Sequence, residues 1–363
     1  MKKTLLFLFL AICGLCCSLY AEIQLTPDSP AGNTISLQRK EIQHYFENPA
    51  TRFAHRYVKA KGKTDDSGRM RVVTICPEKS AVKVELSNTE DFKDSSVYPL
   101  ADGKISLPSL RPNKTYFWRG IDAQGKKLPV HSFKTLDTVP YWVAVPGIWN
   151  FRDLGNWKSA HFGKRVKYGM VYRGTESDDR FKIKPEGLKI LLEELKIKTD
   201  LDLRGNRLSK AKGFVSVFEG KIRRCHIPVK AYEAMMSTGK SPDMSKKVYP
   251  AIFKEMADKN NYPFYIHCFG GADRTGTVMF FLECILGFSD ADLAAEFEMT
   301  SFSCIGLRDS QKKADKNCYP VMLKALTPYG PKDGPIWQKG VAFLKSCGVT
   351  EEDMSKIRSI LLE

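Results

Sequence analysis

Beyond residue 21 the chain lacks any apolar run of the ~20 residues that a membrane span requires, so no transmembrane segment is expected. The same region lacks Cys-x-x-Cys and any His–Cys cluster at zinc spacing, so no metal or other cofactor is implied. It has no internal repeat and no low-complexity tract, which excludes a solenoid or a disordered tail. Acidic residues are also scarce relative to basic ones, 41 Asp and Glu against 57 Lys and Arg, for a net charge of +16. That imbalance favours anionic partners. The basic residues are scattered and no nucleic-acid-reading motif accompanies them, so DNA and RNA are not expected partners.

What the chain does have begins at its first residue. Met1-Lys2-Lys3 and the apolar stretch Thr4 to Leu15 read as the n- and h-regions of a signal peptide cut after Ala21. The expected location is therefore outside the cytoplasm, periplasmic or secreted. Lipidation at Cys13, Cys16 or Cys17 ranks second, because Ile12, Leu15 and Cys16 stand where small residues are expected. Cleavage after Ala21 leaves seven cysteines, an odd number, so at least one thiol stays free.

The densest pattern lies between residues 263 and 287. Pro263-Phe264-Tyr265-Ile266 reads as a buried strand and Thr277 to Gly287 as a helix. Between them runs His267-Cys268-Phe269-Gly270-Gly271-Ala272-Asp273-Arg274-Thr275-Gly276. A strand, a glycine-bearing loop and a helix N-terminus make an anion site, with converging N–H groups and about half a positive charge from the helix dipole. A cysteine opening such a loop is stabilised as thiolate, with a pKa of roughly 3.5–7.5. Arg274 supplies a planar fork that matches two phosphate oxygens. Of the ten cysteines only Cys268 has an arginine six positions on. A buried structural cysteine, the bland alternative, leaves the glycines, the arginine and Thr275 without a reason.

The chemistry expected is attack of the Cys268 thiolate on a phosphate ester, giving a phosphocysteine that water clears. The amides of Phe269, Gly270, Gly271, Ala272, Asp273 and Arg274 would hold the phosphoryl oxygens together with the Arg274 guanidinium. Gly270 and Gly271 would permit close approach. His267 would orient the loop, and the Thr275 hydroxyl would assist the sulfur as it leaves.

This loop resembles the signature of cysteine-dependent protein tyrosine phosphatases, and more narrowly the atypical bacterial subfamily whose loop reads HC-x-x-G-K-D-R-T-G. Asn150-Phe151-Arg152-Asp153-Leu154-Gly155 is similar to the NFRDLGG motif of that subfamily. Val171-Tyr172-Arg173 and Asp202-Leu203-Arg204 are similar to two further elements of it. The resemblance covers residues 139–363 and implies supporting places near the site for Asn150, Arg152 and Asp153. Three positions depart from the pattern: Ala272 for lysine, Asn156 for the second glycine and Leu208 for glutamate. Without a lysine at 272, phosphoinositides are a less favoured substrate, though Arg207, Lys210 or Lys212 could compensate.

A general acid must protonate the leaving oxygen, a contribution of about 10²–10⁴-fold. Asp273, inside the loop, is the first candidate. Asp202, at the end of a predicted strand, is the second, and its alternative role is to anchor Arg204.

The rest of the chain reads as two parts. Residues 22–138 carry short alternating strands, among them Arg69–Cys76, Ala81–Leu86, Thr115–Asp122 and Val130–Leu136, and predict a small all-β sandwich. In Ala81–Leu86, Val82, Val84 and Leu86 should face one side and Lys83 and Glu85 the other. Leu110-Arg111-Pro112-Asn113-Lys114-Thr115-Tyr116-Phe117-Trp118-Arg119 resembles later strands of fibronectin type III domains, which implies an accessory module. Leu37–Glu47 is open between loop and a helix preceding the sandwich. Residues 139–363 alternate strand-length runs with helical patterns, including 185–197, 245–257 and 350–362. This rhythm predicts an α/β fold with a mostly parallel central sheet wrapped by helices. The expected activity is hydrolysis of phosphate monoesters, protein phosphotyrosine first and phosphoinositides or inositol phosphates second. A binding or adhesion module without turnover is the third reading.

Overall fold

The computed structural model describes residues 21–48, 52–58, 71–205, 215–232, 242–311 and 318–363. Residues 1–20, which hold most of the expected signal, lie outside this set, as do Arg207, Leu208, Lys210 and Lys212.

A six-stranded sheet organises the C-terminal half. Its strands are β9 (Tyr141–Trp142), β10 (Arg152–Asp153), β11 (Val171–Gly174), β12 (Thr199–Asp202), β13 (Arg223–His226) and β14 (Phe264–His267). Their order is β13-β12-β14-β11-β10-β9. The first four run parallel, and β10 and β9 close the edge antiparallel. β14 lies between two parallel neighbours, and all four of its residues are buried. That is why Phe264-Tyr265-Ile266 reads as one apolar run, since a central parallel strand is covered on both faces.

Helices wrap this sheet: α2 (Pro185–Lys189), α3 (Pro242–Met256), α4 (Asp273–Ile285), α5 (Asp290–Glu298), α6 (Tyr319–Leu326), α7 (Ile336–Ser346) and α8 (Glu351–Leu361). After α2 the chain continues through a wider turn, closed by Leu195 N–H to Ile190 O at 2.9 Å, so the 185–197 pattern is not one regular helix. α4 is buried at every residue from Thr275 to Ile285. It begins four residues before the apolar pattern starts, because the end of the cysteine loop already turns helically, with Gly276 N–H bonded to Ala272 O.

The N-terminal half contributes a five-stranded sheet and a three-stranded one. The first has the order β2 (Asn33–Ile35), β8 (His131–Thr135), β7 (Thr115–Asp122), β4 (Ala81–Ser87), β5 (Ser95–Pro99). The second is β1 (Ala21–Leu25), β3 (Arg71–Ile75), β6 (Ile105–Leu107). Tyr116, Trp118 and Phe133 are buried between them. Two pairings, β1 with β3 and β2 with β8, are parallel, unlike the all-antiparallel sandwich that short alternating strands predict. β1 includes Ala21, which pairs with Arg71.

Three expectations need correction. The alternation in β4 breaks at a bulge between Ala81 and Lys83: Val82 is 44% exposed, whereas Val84 and Leu86 are buried as expected and Glu85, on the opposite face from them, is covered by its neighbours. Arg119 Nε donates to Glu85 at 2.7 Å and Ser95 Oγ at 2.8 Å, so the buried carboxylate is satisfied. The segment 37–47 forms a helix, α1 (Lys40–Glu47), but it follows β2 instead of preceding the sandwich. Its buried face, Ile42 and Tyr45, packs into the C-terminal half: Tyr45 Oη donates to Glu298 at 2.9 Å, and Arg39 reaches Phe302 O at 2.6 Å. The apolar core runs on past residue 138, across the boundary read from the sequence. One cluster joins Trp118 and Phe133 of the sandwich to Tyr141, Phe151, Leu191 and Tyr265.

Candidate active site

β14 ends at His267, and the next six residues curl back under the N-terminus of α4. The curl is enforced through its carbonyls. Gly271 O accepts from Arg173 Nη2 at 2.6 Å and Asn150 Nδ2 at 3.1 Å, and Gly270 O from Asn150 Nδ2 at 3.4 Å. Phe269 O accepts from Glu176 N–H at 3.0 Å. Among the described residues none of the N–H groups from Phe269 to Arg274 donates to another protein group.

The two glycines are not equivalent. Gly271 has φ +61°, and a Cβ there would stand 2.1 Å from Gly174 O. Gly270 has an ordinary φ, and its nearest would-be neighbour is Ile305 at 3.3 Å. Only Gly271 is demanded by the backbone, which narrows the role expected for Gly270.

The groups that hold the carbonyls belong to a buried ion network. Glu296 takes Arg152 Nε on one oxygen and Arg173 Nη1 on the other, each at 2.7 Å. Arg152 Nη1 in turn donates to Asn150 Oδ1 at 2.5 Å. Arg152, Asn150, Arg173 and Glu296 are all at most 3% exposed. Burial and the neighbouring Arg173 lower the Arg152 pKa to about 10. Asp153 does a separate job, accepting Gly155 N–H at 2.8 Å and Gly169 N–H at 2.6 Å to shape the turn after β10.

Cys268 is 3% exposed and in no disulfide. Burial raises its pKa, but the side chain and amide of Thr275 and the charge of Arg274 outweigh it, and the net shift is downward. The Thr275 hydroxyl is buried without a well-aligned hydrogen bond, yet it lies close enough to the sulfur to favour the thiolate. Above the sulfur opens a pocket of about 490 Å³. Cys268, Ala272, Asp273 and Arg274 form its floor and side, and Trp149, Phe181, Phe269 and Ile305 give it an apolar wall.

The sequence model of the tyrosine phosphatase family matches residues 143–328, half of the chain. The chain belongs to that family. Both the cysteine loop and the Asn150–Gly155 segment fall within the match. No curated protein matches the chain significantly.

In this phosphatase the two candidate acids have different surroundings. Asp202 is 1% exposed and absent from the pocket wall. Its oxygens take Arg204 N–H and Nε at 2.9 Å, Arg204 Nη2 at 2.8 Å and Arg224 Nη2 at 2.6 Å. Burial alone would raise its pKa, but Arg204 and His267 hold the carboxyl well below the usual range. A carboxylate so engaged is a poor proton donor, so the geometry fits Asp202 as the anchor of Arg204. Asp273 lines the pocket, with its side chain 47% exposed. Tyr232 Oη donates to it at 2.7 Å, and Arg308 approaches both oxygens at 3.0 and 3.1 Å. To protonate a leaving group, Asp273 must exchange Arg308 for a proton.

His267 is fully buried behind the phosphatase loop. Its Nδ1 lies 3.1 Å from Cys268 O, and its Nε2 lies 2.9 Å from Asp200 Oδ1, an ion pair off the line of a hydrogen bond. Burial opposes its charging, but Asp200 and Asp202 overcome that and raise its pKa to about 9.

Several residues of the site escape a reading of the sequence: Glu296, Arg308, Tyr232, Glu176, Trp149 and Phe181. None has a fixed spacing from Cys268. Only Glu176 follows a recognised segment, three residues after Arg173.

Proposed function

We propose that this family member hydrolyses protein phosphotyrosine through a phosphocysteine intermediate. The observation that carries the reading is a single arrangement: a free thiol of lowered pKa under an aromatic-walled pocket, opening a loop whose amides from Phe269 to Arg274 have no acceptor among the described residues. The Cys268 sulfur attacks phosphorus while the bond to the tyrosyl oxygen breaks, and Asp273 gives its proton to that oxygen. The loop amides and the Arg274 guanidinium hold the three remaining oxygens, where charge is greatest in the transition state. Water then attacks phosphorus, Asp273 takes its proton, and the sulfur leaves as thiolate toward the Thr275 hydroxyl. Trp149, Phe181 and Phe269 suit a phenyl ring, and Ala272 offers no cation for a second phosphate on an inositol ring, so phosphoinositides rank second.

The test is hydrolysis of p-nitrophenyl phosphate and of a phosphotyrosine peptide. Wild type should turn over both, vanadate should inhibit, and Cys268→Ser should lower kcat by about 10³–10⁶-fold. Undiminished turnover by Cys268→Ser would remove the mechanism. We also propose that residues 1–21 direct export and that residues 22–138 form an accessory module of fibronectin type III kind. N-terminal sequencing of the protein recovered from its host would find Glu22 first if the export reading holds.

A further inference from the structure

One charged side chain on the pocket wall has no place in the mechanism above. Arg180 is exposed and lines the same cavity as Cys268. Its guanidinium carbon lies 5.6 Å from the Phe269 ring centre and 5.9 Å from that of Phe181, at the meeting of two aromatic walls. Among the described residues no carboxylate forms an ion pair with it, whereas Arg152, Arg173, Arg204 and Arg308 all have acidic partners.

Its backbone is not free to wander. Glu176, 0% exposed, accepts Asp178 N–H and Asp179 N–H on one oxygen, at 2.9 and 2.7 Å, and Arg180 N–H and Phe181 N–H on the other, at 2.6 and 2.7 Å. Arg204 Nη1 closes the arrangement at 3.2 Å from Glu176. Four amides on one buried carboxylate fix the loop that presents Arg180. A solvated guanidinium with no acidic partner among the described residues, carried on a fixed backbone beside an anion site, is disposed to receive a second anion.

We propose that Arg180 is a specificity residue that receives an acidic side chain next to the phosphotyrosine of a peptide substrate. This rests on the phosphotyrosine reading above. A carboxylate suits the position better than a phosphate of an inositol ring. The wall that carries Arg180 is aromatic, with its guanidinium against Phe269 and Phe181, so it is available to a residue that follows the phenyl ring along that wall.

The measurement is the ratio of kcat/KM for a phosphotyrosine peptide flanked by glutamates to that for the same peptide flanked by alanines. A ratio cancels any general loss of activity in a variant. Wild type should favour the acidic peptide about three- to fivefold at low salt, the range of one exposed ion pair, and the preference should fade as salt screens it. Arg180→Ala should bring the ratio close to one, and Arg180→Lys should keep most of it. A wild-type ratio of one, or an unchanged ratio in Arg180→Ala, overturns the proposal. So does a result in which Arg180→Ala slows an inositol bisphosphate selectively and leaves the peptide ratio intact, because the anion is then a phosphate. Failure of wild type on p-nitrophenyl phosphate as well would sink the underlying reading, and it is distinguishable from a wild type that is active but indifferent to the flanking charge.

Discussion

The two halves of the chain bury polar groups in different ways. In the C-terminal half, Asn150, Arg152, Arg173 and Glu296 form a connected network with almost no solvent contact, and its donors end on the carbonyls of the cysteine loop. In the N-terminal half the core is apolar, and its buried carboxylate, Glu85, is held by Arg119 and by a half-exposed Lys127 at the rim. The first arrangement sets the direction of a backbone. The second tolerates water as a substitute partner. Buried charge is costly unless every group is satisfied, so its concentration around residues 268–274 marks where position matters most in this molecule.

Four substitutions or conditions would break or sharpen this contrast. The largest effect is expected at the pocket: Asp273→Asn should lower kcat on a phosphotyrosine peptide by about 10²–10⁴-fold, measured by steady-state kinetics, while Glu85→Gln leaves kcat unchanged. Next comes the network itself. Glu296→Ala strands two buried arginines and should cost about 3–5 kcal/mol in denaturant unfolding, against about 1 kcal/mol for Glu85→Ala; equal costs would erase the distinction between the halves.

Within the loop, Gly271→Ala must adopt a strained φ and push against Gly174, a cost of about 1–3 kcal/mol that the thermal midpoint would report. Gly270→Ala should fall below half of that. A further test concerns His267. Its folded pKa, about 9, lies above the value of 6.5 expected when unfolded. Its contribution to stability is therefore complete below pH 6.5 and is lost as pH rises toward 9. The midpoint should decline across that window in wild type, and Asp200→Asn, which removes the ion pair, should flatten the decline.

How far the sequence could be read followed the same contrast. The strand–loop–helix unit was legible because its residues are contiguous and each type has one physical reason to stand there. The parallel sheet was legible from runs such as Phe264-Tyr265-Ile266. Glu296 and Arg308 were not, since a contact between residues 123 positions apart, as for Arg173 and Glu296, leaves no local trace. The ranking of Asp273 over Asp202 rests on its place inside the loop, and only their neighbours tell a tied carboxylate from one at a pocket wall. In β4 the two-residue period failed at the bulge, which turns Val82 outward while Val84 and Leu86 stay buried. For α1, amphipathicity announced that one face is buried and could not say against what.

Tyr45 and the Ala54 amide both bond Glu298 Oε2, at 2.9 and 3.0 Å, while Ser310 N–H and Oγ bond the other oxygen. Ser310 stands two residues from the Arg308 that grips Asp273. The polypeptide before residue 139 thus shares a buried carboxylate with the segment that carries Arg308. Any attempt to transplant residues 139–363 as a self-sufficient cassette would strip half the ligands from that carboxylate and leave the rim of the pocket without its far-side brace.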